Sequence, residues 1–325
     1  MKVVVVGVGR MGQVHARLLA HASGVSELVV TDADVEQAKT VAQDIGARAV
    51  GDAMDAFKSA DAVVVATPPA THAMYVKAAV ARGCPVLCEK PLADNLTVAT
   101  ELADYVEAAG VLVKVGFHRR FDHGYRAART AVLESRLGQL YLMRLEVTEP
   151  GLPPSPKTNL LRNTAIHDFD AVRWLSGEEV VSVYADGAQR SGQPYDPRLD
   201  PDTVVVSLRL TGDILAAITV SRMSPLGYDV RAELVGSRDH VALGWTDRTP
   251  IRSVEPNCPA ISGGRWRSWQ ERFEEAYRSQ LGEFLGAVTG NAGSGAGVRD
   301  AVEAHRIADA ARTSLQQELP VTLQR

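Results

Sequence analysis

Cysteine is scarce in this chain: Cys84, Cys88 and Cys258 are the three in 325 residues. An odd count with no CxxC pair excludes a disulfide framework and a structural zinc, and it fits a reducing compartment in which these residues are small buried apolar groups. Long apolar runs are missing too. The opening MKVVVVGVGRMG carries a run too short for a signal peptide and turns directly into glycines, and no later run reaches the ~20 residues of a membrane helix. A cytoplasmic protein with no membrane partner is the expectation. Charge of one sign is nowhere concentrated. Lys+Arg 35 against Asp+Glu 39 leaves a net charge of -4, so the electrostatic footprint of a nucleic-acid or anionic-membrane binder is absent. Neither a metal-binding cluster nor an internal repeat is visible. What is present is a 46% hydrophobic chain, long enough for a large core and, by length alone, for two domains.

Residues 1–119 alternate short β-branched runs (KVVVV, ELVVT, DAVVVA, PVLCE, VLVKV) with amphipathic segments. That is the pattern of a doubly wound parallel sheet, a Rossmann-like α/β domain. After the first run comes Gly7-Val8-Gly9-Arg10-Met11-Gly12, then a helical stretch, then a run ending in Thr31-Asp32. A GxGxxG alone is weak. Here it follows a strand, opens a helix and precedes an acid 20 residues beyond its last glycine, which is the context of a dinucleotide fingerprint rather than of a ligand-free turn. Gly7, Gly9, Arg10, Met11 and Gly12 would cradle the pyrophosphate at the helix N-terminus, and Asp32 would take the ribose hydroxyls. A carboxylate there repels a 2′-phosphate, so NAD is favoured over NADP, although the Arg10 guanidinium could also serve a phosphate. Two further junctions fall at the carboxyl edge of this sheet: Thr67-Pro68-Pro69 with His72, and Glu89-Lys90-Pro91. Thr67, Pro68, His72, Glu89 and Lys90 are cofactor-side candidates there; His72 can equally be a local hydrogen-bonder, and Lys90 a solvated loop charge.

Residues 120–325 read differently. A helix from Arg126, an extended run from Leu140 to Val147 and a proline-rich loop lead into the helix LLRNTAIHDFDAVRWL (160–175). The runs VVSVYADG, TVVVSLRL, ILAAITVSR, YDVRAELVG and HVALGW follow without helices between them. They predict a mainly antiparallel open sheet in an α+β domain, with one face available to a second subunit. Residues 265–278 mix arginines with aromatics, but Trp269, Phe273, Ala276 and Gln280 recur at helical spacing, which reads as a packed helix rather than a nucleic-acid surface. On a wheel of about 100° per residue, the 160–175 helix has an apolar side (Ala165, Ile166, Phe169, Val172) and a polar stripe of Asn163, His167, Asp170 and Trp174. Asp168 points away from His167.

The fingerprint, TPPATH, EKP, GFHRRFD and IHDFDAVRWLSGEE, in this order and spacing, resemble the Gfo/Idh/MocA family of NAD(P)-dependent oxidoreductases, most closely its inositol dehydrogenases. GYDVRAELVGS, WQERFEEAY and PVTL extend the resemblance over nearly the whole chain. It implies that Lys90 contacts substrate and nicotinamide region, that His167 is the general base, and that His118 and Arg120 lie near substrate, although arginines here can also simply bridge domains. It also implies a homodimer or homotetramer. The departure is Asn163, which stands where the family has an aspartate four residues before the histidine.

Oxidising a secondary alcohol needs a hydride acceptor and a base for the hydroxyl proton. His167 with Lys90 supplies the base and a positive charge for the developing alkoxide. An amide at 163 orients the imidazole without adding charge, so His167 is expected to be a weaker base than in an aspartate-containing relative. Asn163 has three readings: a helix N-cap, a substrate contact, or the mark of a site that binds nucleotide without turnover. Substrate contact is preferred, because the preceding TEPGLPPSPKTN does not resemble the inositol dehydrogenase segment. Asp170, three residues beyond His167, can replace part of the missing charge or make a structural contact. The activity expected is oxidation of a cyclic polyol (an inositol, aminocyclitol or sugar derivative) with NAD. The alternatives are a keto-sugar reductase, with or without a nucleotide on the sugar, a non-catalytic NAD(H) sensor, and the family branch that oxidises transiently during glycoside cleavage.

Overall fold

The computed structural model describes residues 1–151, 159–192, 198–257 and 263–323. Most of the proline-rich loop (152–158) and Cys258 lie outside the described residues. The chain divides into two compact units, Met1–Phe121 with Glu275–Glu303, and Asp122–Glu274 with Ala304–Arg325. This differs from one cut after residue 119. Leu281, Phe284 and Leu285, far along the chain, are buried in the same core as Val3, Val5, Leu19 and Val30.

In the first unit, β1 (Lys2–Val6) leads to α1 (Arg10–Ala20), β2 (Glu27–Thr31), α2 (Val35–Ile45), β3 (Arg48–Ala49), α3 (Ala53–Ala56), β4 (Ala62–Val65), α4 (Pro69–Val80), β5 (Val86–Cys88), α5 (Leu96–Ala109) and β6 (Val113–Val115). The strands pair in the order β3-β2-β1-β4-β5-β6, all parallel. Val3–Val6 and Ala62–Val65 are buried along their whole length, which is why these strands read as unbroken apolar runs instead of alternating ones. Each of these buried valines contributes roughly 1.5–3 kcal/mol on burial. Helix ends follow local chemistry. The Asp34 carboxylate caps α2 by accepting from the Glu36 and Gln37 amides, Asn95 caps α5, and Gly46 and Gly110 end these helices in the left-handed conformation. The sheet order reverses on either side of β1, and ligands of such sheets bind outside the carboxyl ends of the strands at that point.

The second unit begins with α6 (His123–Leu133) and β7 (Leu140–Thr148), then a π-helical turn (Leu161–Ala165) running into α7 (Ile166–Ser176). Strands β8 (Val180–Ala188), β9 (Thr203–Leu210), β10 (Leu215–Ser221), β11 (Asp229–Gly236) and β12 (His240–Leu243) follow. The residues of α8 (Trp269–Val288) and α9 (Val298–Gln317) are divided between the units, and β13 (Val321–Thr322) closes the chain. The sheet order is β12-β11-β7-β10-β9-β8-β13. Every pairing is antiparallel except β7 with β10, so the sheet is mixed. Met143, Leu145, Val147, Val204, Val206, Ala216, Ile218 and Val220 are buried on one face, while Tyr184, Val205, Ser207, Arg209, Leu215 and Ala217 on the other are exposed. Among the described residues no helix is long and apolar enough to cross a membrane, and no group of three or more His, Cys, Asp or Glu side chains is arranged for a metal ion.

Candidate active site

The glycine turn after β1 is specified by backbone contact. Gly7 has φ +87°, and a Cβ on it would lie 2.8 Å from backbone atoms of Ala66 and Thr67; a Cβ on Gly12 would lie 1.7 Å from the Gly7 carbonyl oxygen. Gly9 is different: a Cβ there would meet nothing within 4 Å. Gly9 is the exposed N-cap of α1, which has neither a side-chain cap nor an acid in its first turn. The first amides of α1, at Arg10, Met11 and Gly12, therefore face the space over Gly9 without a side-chain acceptor from the cap, as binding of a pyrophosphate requires. Arg10 is exposed and Met11 half-buried.

Asp32, half-buried just after β2, accepts the Val8 amide at 2.6 Å and the Asp34 amide at 3.0 Å. Two carboxylate oxygens offer about four acceptor positions, so ribose hydroxyls can still be taken. The Val8 carbonyl in turn accepts from the side-chain amides of Gln13 and Gln37, each at 3.0 Å. Sequence reasoning missed both glutamines, which hold the turn at one peptide unit.

The other two junctions are tied together. Pro68 precedes α4, and the Thr71 hydroxyl lies 2.9 Å from both Thr67 Oγ1 and the Pro68 carbonyl oxygen, with one proton to share between them. His72 is buried, with Nδ1 2.8 Å from the Pro91 carbonyl oxygen and Nε2 2.8 Å from that of Thr67. Burial pushes this imidazole below its ordinary value, while the two carbonyls and the Glu89 carboxylate pull the other way. A neutral ring donates to one carbonyl only, so the tautomer selects which strand end is held more firmly. Lys90 is half-buried, and its peptide bond to Pro91 is cis. Its backbone amide donates to Glu89 Oε2 at 3.2 Å, and Glu89 Oε1 lies 2.7 Å from Nε2 of the fully buried His15 on α1. After β6, the His118 ring stacks on Tyr277 at 4.5 Å between centroids, and the buried Arg120 pairs with Asp300 at 3.1 Å. Its guanidinium thus has a carboxylate partner inside its own unit.

In the second unit the structure revises the reading of the 160–175 helix. Asn159, not Asn163, caps it: Asn159 Oδ1 accepts the Leu161 amide at 3.1 Å and the Arg162 amide at 3.2 Å, and the Asn163 amide donates to the Asn159 carbonyl at 2.7 Å. The N-cap reading of Asn163 is therefore wrong. Asn163 itself lies within the π-helical turn and is exposed. A π turn carries an i to i+5 spacing, so the 100° wheel does not relate Asn163 to His167. Nor is α7 two-sided. Ile166 through Val172, including His167, Asp168 and Asp170, are all buried, and Trp174 is half-buried. Arg162 anchors the turn through Nε and Nη2 to Asp309 Oδ1, at 2.9 and 2.5 Å.

The parallel sheet with a ligand-ready glycine turn and a ribose carboxylate defines an NAD-binding oxidoreductase. Comparison with known proteins agrees. Residues 1–117 match the family described as oxidoreductase family, NAD-binding Rossmann fold, and residues 125–242 match the Gfo/Idh/MocA C-terminal domain. The chain is 37% identical to myo-inositol dehydrogenase Hyg17 of Streptomyces leeuwenhoekii, over 99% of both chains. It is 32% identical to an inositol 2-dehydrogenase of Acidothermus cellulolyticus, over 99% of this chain and 94% of the relative. A solved myo-inositol dehydrogenase of Corynebacterium glutamicum superposes with TM-score 0.89 at 30% identity, over 100% of this chain and 99% of that one. The chain belongs to the Gfo/Idh/MocA oxidoreductase family.

Proposed function

We propose that the chain is an NAD-dependent dehydrogenase that oxidises a secondary hydroxyl of a cyclic polyol, an inositol, aminocyclitol or related sugar. The observation that carries this reading is similarity along the whole chain to proteins named inositol dehydrogenases. Bound NAD supplies the hydride acceptor. His167 takes the hydroxyl proton. Its Nδ1 is buried, so we assign the transfer to Nε2 of the imidazole, a common general base. Lys90 places a fixed positive charge by the developing alkoxide. Asn163, exposed at the π turn ahead of α7, donates to and accepts from a neighbouring ring substituent, so the amide is assigned to substrate orientation. The chain works as a homodimer or homotetramer through the open face of the second sheet, where Tyr184, Val205 and Leu215 expose apolar side chains.

The test is NADH formation, followed by nicotinamide absorbance, across inositols, aminocyclitols and glucose derivatives. Turnover of at least one ring is expected. NADH oxidation only with keto-sugars would replace the reading with a reductase. Tight NADH binding with no turnover in either direction would replace it with a sensor.

A further inference from the structure

The buried pair of His15 and Glu89 has no part in the chemistry above. We propose that Glu89, held by His15, is a positioning residue for Lys90 and not a ligand of the cofactor; this rests on the role given to Lys90. Glu89 is 5% exposed and His15 0%. Both carboxylate oxygens are engaged inside the unit, Oε1 by His15 Nε2 at 2.7 Å and Oε2 by the Lys90 amide at 3.2 Å. Space is kept for this carboxylate: a Cβ on Gly116 would lie 2.8 Å from Glu89 Cδ and Oε2. The ring of His15 stands edge-on to Tyr277, with centroids 6.0 Å apart, so its orientation is fixed by packing as well as by the hydrogen bond. On the far side of Lys90, the Pro91 carbonyl oxygen lies 2.8 Å from His72 Nδ1, which donates to it in the Nδ1–H tautomer.

Lys90 is therefore braced on both sides, by a carboxylate on its own amide and an imidazole on the next carbonyl. A desolvated carboxylate is costly unless well hydrogen-bonded, and apolar groups of similar volume would fill the same space at no such cost. What the carboxylate adds is direction. It fixes where the lysine backbone sits, and a misplacement of about 1 Å at a reacting group costs up to ~100-fold in rate. The brace also joins α1, which presents the glycine turn, to the end of β5, which presents the lysine.

The experiment compares Glu89→Gln, Lys90→Met and the double variant, with turnover of myo-inositol, or of whichever ring reduces NAD fastest, and NADH affinity by fluorescence titration. Glu89→Gln keeps the shape and removes one acceptor. Its kcat is expected to fall about 10- to 100-fold, with KM for NAD and Kd for NADH within about 2-fold of wild type, and the double variant is expected to be no slower than Lys90→Met. A Glu89→Gln that keeps kcat, a 10-fold loss of NADH affinity with kcat intact, or multiplying losses in the double variant would each overturn the proposal. Lys90→Met with wild-type turnover would instead overturn the role of Lys90 itself, so the two failures are told apart. His15 gives a second approach should Glu89→Gln not fold. His15→Leu removes the donor and is expected to lower kcat about 10-fold, while His15→Gln restores a donor and recovers most of it. Equal kcat in the two His15 variants would sink the idea whatever their melting temperatures.

Discussion

Replacing Gly9 by alanine separates cofactor binding from folding in a way that no other fingerprint glycine allows. Gly9 has φ −66° and ψ −164°, which alanine adopts, and the new methyl would meet no protein atom within 4 Å. Losing a favoured N-cap residue costs about 0.5–1 kcal/mol; the stiffer unfolded chain offsets this by about 0.4–1 kcal/mol. Stability without cofactor is thus expected to stay within ~0.5 kcal/mol of wild type. A pyrophosphate close to the first amides of α1 would be pushed off by that methyl and lose one or two charged hydrogen bonds, each about 1.5–3 kcal/mol. NADH affinity is then expected to fall about 10- to 100-fold or more. The assay is thermal unfolding with and without NADH. At 100 times the wild-type Kd, ligand stabilises the wild type by about 2.7 kcal/mol; a variant binding 100-fold more weakly gains only ~0.4 kcal/mol at that concentration. Equal thermal shifts for both proteins would refute the placement of the pyrophosphate. Gly12→Ala cannot serve, since its Cβ would sit 1.7 Å from the Gly7 carbonyl oxygen and folding would fail along with binding.

Asn163→Asp tests the substrate contact assigned to the amide. A carboxylate there still accepts but no longer donates to the ring substituent, so KM for the preferred ring is expected to rise about 10-fold with KM for NAD unchanged; an unchanged KM for the ring would remove the substrate-orienting role of the amide. Leu215→Arg, on the open sheet face at the start of β10, is expected to reduce the oligomer to monomers in light scattering, and an unchanged mass would place the interface elsewhere. Burial holds the Cys84 thiol up at about 11 and Cys88 well above its ordinary value. In a Cys258→Ser background neither should react with a disulfide reagent at pH 8, where roughly 1 in 1,000 of Cys84 is thiolate; rapid labelling of the native protein would contradict that packing. His72, lowered by burial, contributes stability that is present above about pH 6.5 and is lost as pH falls below it, because the unfolded chain protonates first. His72→Gln should lose about 1–3 kcal/mol at pH 7 through its carbonyl contacts and show a shallower fall toward pH 5 in urea midpoints; an unchanged slope would count against a neutral ring.

The strands with several buried residues in succession were legible. KVVVV, DAVVVA and PVLCE became β1, β4 and β5 because central parallel strands are covered on both faces, and TVVVSLRL became β9 because alternation marks a sheet with one open face. Two-residue β3 has no pattern to read. The parallel pairing of β7 with β10 was also hidden, since the runs from VVSVYADG onward follow one another like hairpin strands, and only the non-local return of the chain past α7 sets β7 between β10 and β11. The same limit applies to Leu281, Phe284 and Leu285. Their spacing announces a core-facing helix, but apolar periodicity does not say which core receives it.

At the site, legibility followed how narrowly chemistry restricts residue type. Gly7 and Gly12 are readable because no other residue fits their contacts. Asn163 was read on a helical wheel that presumes an α-helix, and the π turn breaks that premise between Asn163 and His167. Asn159 was passed over although its Oδ1 makes the capping bonds, since the sequence offered two asparagines four residues apart and nothing to choose between them. His15 and Glu89 were the hardest. A histidine three residues past Gly12 reads as any buried helix residue, and the glutamate before Lys90 reads as a cofactor-side residue. Only their separation of 2.7 Å in the fold joins the glycine turn to the lysine, and it does so through a buried carboxylate, whose desolvation is offset by hydrogen bonds to both of its oxygens.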